Sequence, residues 1–97
     1  MRVESVTSAQ NRKVKTLLAL QEKARLRKEM GLFVVEGRRE LGHCVRAGFE
    51  IDTLFYCPEI AGAETILENS GQIVEVPREL YEKIAYRGGT EGMIAEV

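Results

Sequence analysis

Asn11 and Lys15 are four residues apart, one helical turn, and so face the same way. A few residues on, Lys23 and Arg27 repeat that spacing, with Arg25 and Lys28 flanking them, and Arg12 adds a charge beside Asn11. All of these side chains donate hydrogen bonds of the kind that phosphate and ribose oxygens accept. Arginine's planar fork also stacks on unpaired bases, a common way of reading folded RNA. The chemistry these residues suggest is the holding of a polyanion. Glu36 and Gly37 close the "FVVEG" stretch between this segment and the pair Arg38–Arg39. A carboxylate repels phosphate, so Glu36 is read as structural. It pairs with a nearby guanidinium or caps the helix opened by Arg38, while Gly37 makes the turn. Arg25 and Arg27 are then expected to be free for a ligand.

The net charge of −1 hides how that charge is distributed. Residues 1–39 carry ten Lys/Arg against four Glu, a surplus of six; residues 40–97 carry four against eleven acidic residues, a deficit of seven. A localised basic face is the footprint of a polyanion binder. The same charges on a helix also serve solubility, so the asymmetry alone leaves both readings open.

Catalytic constellations are not legible. The chain has one histidine, His43, and two cysteines, Cys44 and Cys57. That is too few for a zinc site, and His43 adjoins Cys44 on a helical stretch where neighbours point apart. All three are read as packing or surface residues. "GGTEG" (88–92) lacks the Lys-Ser/Thr of a phosphate loop and precedes a strand. No metal is expected. No apolar run approaches the roughly 18–20 residues that cross a bilayer, and no signal-peptide pattern opens the chain, so a cytoplasmic location without membrane contact is expected.

The elements that must position the basic residues follow from periodicity. Ser8 is expected to cap a helix with Val14, Leu17 and Leu18 on its apolar stripe and Leu20 slightly off it. A second helix, about 22–30, packs Leu26 and Met30 and ends at Gly31. "LFVVE" (32–36) reads as a strand covered on both faces. A helix follows over 38–48 with Gly48 as its stop, then a strand over 51–57 that Pro58 ends. A short helix spans 61–71, a strand 72–76, a helix from Pro77 onward with Leu80, Ile84 and one tyrosine buried, and a strand 93–97. This alternation predicts one α/β domain over 1–97, with a mainly parallel, four-stranded sheet between helices. The sequence stops inside an apolar strand, which suggests truncation from a longer protein.

"SAQNRKVKTLLALQEKARLRKEMGLFVVEGRREL" resembles the start of the SpoU (TrmH) family of RNA 2′-O-ribose methyltransferases. Their N-terminal substrate-binding domain opens with an Asn–x–x–x–Lys helix and a Lys/Arg-rich segment, then a Phe-x-x-Glu-Gly strand end. The likeness continues through "AGFEIDTLFYC", a Val-Pro start to the last helix and the closing "EGMIAEV". The matching positions are Asn11, Lys15, Arg25, Arg27, Glu36 and Gly37; Arg12, Lys23 and Lys28 are added on charge. Thr90-Glu91 stands where the family has Pro-Gln. The resemblance implies an α/β/α sandwich like the ribosomal-protein fold that binds kinked RNA, with rRNA or tRNA as partner. It also implies a knotted catalytic domain beyond Val97 that binds S-adenosylmethionine, in a homodimeric parent. The fragment itself would hold no cofactor and be no enzyme, whereas the parent would be an RNA 2′-O-methyltransferase. Two other readings stay open: a stand-alone RNA-binding protein of ribosomal type, and a protein-interaction module using the acidic half.

Overall fold

In the three inner strands, successive side chains point to opposite faces of the sheet, and each face carries buried apolar residues. Helices must therefore cover both sides. The computed structural model describes residues 2–62, 70–85 and 91–97, with Arg2 described by its backbone alone. Its strands are β1 (Arg2–Ser5), β2 (Val34–Glu36), β3 (Ile51–Tyr56), β4 (Ser70–Glu75) and β5 (Met93–Glu96). Its helices are α1 (Arg12–Glu22), α2 (Ala24–Met30), α3 (Arg38–Arg46), α4 (Pro58–Ala61) and α5 (Arg78–Ile84). Phe55, Val74 and Ile94 pack with Leu17 of α1 and with Leu80 and Ile84 of α5. On the other face Leu54, Ile73 and Ala95 pack with Leu41 of α3. The α/β/α layering follows from these two cores.

The sheet differs from the expected one in strand number and direction. It has five strands in the order β1-β4-β3-β5-β2. The unforeseen β1, "RVES", is a polar edge strand parallel to β4, and β4 is parallel to β3. β5 lies between β3 and β2 and runs against both, so the sheet is mixed rather than mostly parallel. Gly92 explains the reversal. Its carbonyl accepts from Cys57 N at 2.9 Å, which starts β5 beside the C-terminal end of β3 and leaves only the antiparallel direction. With φ at +83°, and with Ala61 N 2.9 Å from where a Cβ would lie, this position suits glycine alone. β2, expected to be buried within a parallel sheet, is an antiparallel edge strand.

Local expectations fare unevenly. Asn11, rather than Ser8, caps α1, its Oδ1 accepting from Lys13 N at 2.8 Å. Ser8 instead accepts from Gln10 N in the preceding turn. Leu20 is fully buried and Leu18 only partly, the reverse of the expected stripe. Gly31 ends α2 in the left-handed conformation as expected. Gly48, φ +93°, follows α3 in a paired closure, with Gly48 N donating to Val45 O and Phe49 N to Cys44 O. Pro58 opens α4 as its first residue. The expected helix over 61–71 falls mostly on 63–69, outside the described residues, as does most of the expected connection at 88–92. No helix among the described residues is long and apolar enough to cross a membrane.

Candidate nucleic-acid interface

α1 lies against the sheet, and its helical phase sorts its basic residues. Lys13, Leu17 and Leu20 follow i, i+4, i+7 spacing and share the inward face. Arg12 and Lys15 fall on the opposite side and are exposed. Lys13 is therefore unavailable to a ligand: its Nζ donates to Glu4 Oε1 in β1 at 2.5 Å and to Gln72 Oε1 in β4 at 2.9 Å. The polar chain continues across the sheet. Gln72 Nε2 donates to Thr53 Oγ1 at 3.0 Å, and Thr53 stands in register with Glu96. Glu96 is 5% exposed, and its Oε2 is buried with no hydrogen-bond partner. Its carboxyl is pushed up to about 7, chiefly by burial and then by the charge of Asp52, against a lowering hydrogen bond from Thr53. The Thr53 hydroxyl has one proton and also donates to Asp52 Oδ2 at 2.9 Å, so it cannot fully serve both carboxylates.

The basic residues fall into two groups. Asn11, Arg12 and Lys15 occupy the first turn of α1. Lys23, Arg25, Arg27 and Lys28 follow its last turn, roughly 18 Å away along the axis at 1.5 Å per residue. Lys23 links the helices, as C-cap of α1 and N-cap of α2, and is exposed. The Arg25 side chain is 91% exposed and its Nε lies 3.3 Å from Glu29 Oε1. Lys28 is exposed. Arg27 departs from expectation. Its Nη1 donates to Leu20 O at 2.6 Å and to Gln21 O at 3.2 Å, satisfying carbonyls that the end of α1 leaves open. α2 itself has no buried residue; Leu26 is half-buried, and Met30, expected to pack beside it, is exposed. The Arg27 guanidinium therefore ties α2 to the end of α1.

The turn after β2 is closed by both backbone and side-chain contacts. Glu36 is buried, in register with Ile94, and Gly37 adopts φ +104° with its N–H donating to Met93 O at 2.9 Å. At the start of α3, Glu91 Oε1 accepts from Arg38 N at 3.2 Å. Arg38 Nη2 in turn donates to Ala61 O at 3.0 Å, closing α4. Lys13 and Glu91 are the structural residues that sequence reasoning missed. The phase of Lys13 with Leu17 and Leu20 was a usable signal; Glu91 is 53 residues from its partner and gave none.

A groove of about 230 Å³ lies at the C-terminal ends of β1 and β4, lined by Ser5, Thr7, Glu59 and Glu75 among others. Glu59 already accepts from Arg78 N at 3.3 Å. This volume is below the roughly 300–1,000 Å³ of ligand pockets. Val6, Pro58, Val76 and Pro77 make up the apolar half of its lining.

A mixed five-stranded sheet with helices on both faces, two of them carrying exposed basic residues, makes this an α/β domain. The family model of the MRM3-like substrate binding domain matches residues 11–95, and the chain belongs to that family. The fold is similar to that of an rRNA methyltransferase from Sinorhizobium meliloti, with TM-score 0.80 and 26% identity over 99% of this chain and 37% of that one. It is also similar to the SpoU methyltransferase AviRb from Streptomyces viridochromogenes in complex with AdoMet, with TM-score 0.71 and 20% identity over 91% of this chain and 35% of that one. An RNA 2′-O ribose methyltransferase matches with TM-score 0.78 and 24% identity, over 95% and 36% of the two chains. These last two likenesses show the fold alone. The chain spans little more than a third of the length of the structures it matches. No curated protein sequence matches it significantly. The SpoU resemblance of the sequence is thus upheld.

Proposed function

We propose that this domain holds rRNA or tRNA for a SpoU-type 2′-O-ribose methyltransferase and presents a ribose hydroxyl to a separate catalytic domain. That domain follows Val97 in a longer, cytoplasmic, homodimeric parent and carries S-adenosylmethionine, the methyl donor. The observation that carries the reading is the solvent-facing series Arg12, Lys15, Lys23, Arg25 and Lys28 along α1 and α2, in a chain of the substrate-binding family. The likeness to an rRNA methyltransferase of nearly three times the length supports the division of labour. In this reading Asn11 adds its side-chain amide, and Arg27 acts mainly by fixing α2 against α1. Glu36 and Gly37 set the turn that follows. Filter binding of structured rRNA and tRNA fragments tests the proposal. Arg25→Ala and Lys28→Ala should each weaken binding uniformly across sequences, as phosphate contacts do. Undiminished binding by the double variant would refute it.

A further inference from the structure

Among the described residues, four large hydrophobic side chains are well exposed: Val3, Met30, Phe33 and Phe49. Val3 is on the edge strand β1, whereas Met30 and Phe33 flank the turn out of α2. Phe33 and Phe49, 39% and 52% exposed, meet edge to face with ring centroids 5.7 Å apart and planes at 89°. In such a pair the ring that offers its edge keeps both of its own faces out of the contact, and its partner uses only one of its two. Both backbones are fixed. Phe33 exchanges two hydrogen bonds with Val97, at 3.1 and 2.9 Å, and Phe49 N donates to Cys44 O at 3.0 Å in the closure of α3.

We propose that Phe33 and Phe49 form a stacking platform for an unpaired nucleobase of the RNA whose phosphates α1 and α2 hold. The proposal rests on the RNA reading above and adds to it a preference for single-stranded or looped segments. Charge favours this occupant over an apolar peptide. The exposed Arg25 and Lys28 precede Phe33 on α2, and the exposed Arg46 precedes Phe49 on α3. The exposed Glu50 adjoins Phe49, and it disfavours a phosphate there. A base, which carries no charge, meets the rings while its backbone lies toward the arginines and lysines. Base–aromatic stacking is tolerant of sequence because every base has a π-face.

The chain has no tryptophan, so Phe49→Trp introduces a single indole reporter at an exposed position. A hairpin with an unpaired loop should quench its fluorescence, and the same sequence closed into a duplex should not. Phe49→Ala should lower affinity for the looped RNA by about 5- to 100-fold while the protein stays folded. Phe49→Leu should lower it nearly as much, because the contact needs a ring. If Arg25→Ala weakens binding while Phe49→Ala and Phe49→Leu do not, the platform is wrong and the RNA reading stands. If the wild-type protein binds neither RNA, both fall. Concentration-dependent self-association that Phe49→Ala abolishes would assign the rings to a second copy of this chain and overturn the platform.

Discussion

Single side chains divide here into those that hold the fold and those left for a ligand. Arg25 and Arg27 are two residues apart and look equivalent in the sequence, yet the structure separates them. Arg27 closes the end of α1, so Arg27→Ala should lower stability by about 1.5–3 kcal/mol, the range for hydrogen bonds to charged groups. Its RNA affinity should fall as a consequence of the loosened α2. Arg25→Ala should leave the melting temperature unchanged and lower affinity alone. Thermal melts paired with binding isotherms make the comparison. Glu96 gives a pH signature. Its carboxyl is raised from 4.5 to about 7 in the fold. Stability from this group is therefore fully present below about pH 4.5 and is lost as pH rises through about 7, a loss on the order of 3 kcal/mol at 1.36 kcal/mol per unit. Glu96→Gln should match wild type in urea melts near pH 4.5 and exceed it at pH 8. A wild-type protein more stable than the variant at pH 8 would show that the ionised carboxylate is well compensated.

At the level of elements, α1 matters most, because its cap, inward lysine and end carbonyls each tie it to a different part of the molecule. Asn11 is both the N-cap and a candidate RNA contact, and two substitutions separate these roles. Asn11→Ser keeps a capping oxygen and should keep the melting temperature, while losing the amide donor and some RNA affinity. Asn11→Ala should also cost about 0.5–2 kcal/mol of stability. If Asn11→Ser binds RNA as wild type does, the side chain is a cap only. The elements themselves were legible where burial imposes a pattern. "IDTLFY" and "MIAE" form strands, and the glycines at 31 and 48 stop helices. Ser8 and Asn11 are both good capping types three residues apart, and only the geometry decided between them. β1 left no signal because a short edge strand buries little: Val3 is its one apolar residue, and it is exposed. The direction of β5 depends on Gly92 meeting Cys57 and α4, a contact between distant segments that no local pattern carries.

Across the whole molecule, seven of the ten basic residues in 1–39 lie on α1, α2 and the residue that links them, while residues 40–97 supply three of the five strands. The charge asymmetry was readable from sequence, but which cations remain free was not, since Lys13 and Arg27 are spent internally. Five exposed cations, Arg12, Lys15, Lys23, Arg25 and Lys28, remain in the proposed interface. The central claim is that they meet RNA phosphates, and the salt dependence of binding tests it most directly. With four or five contacts at ~0.7 each on single strands, the slope of log K against log[salt] should be about −3 to −3.5. Each Arg or Lys removed from the five should bring that slope roughly 0.7 closer to zero, whereas Phe49→Ala should leave it unchanged. A flat dependence, or a slope that stays the same as these residues are removed one by one, would mean that α1 and α2 do not bind RNA through phosphate contacts.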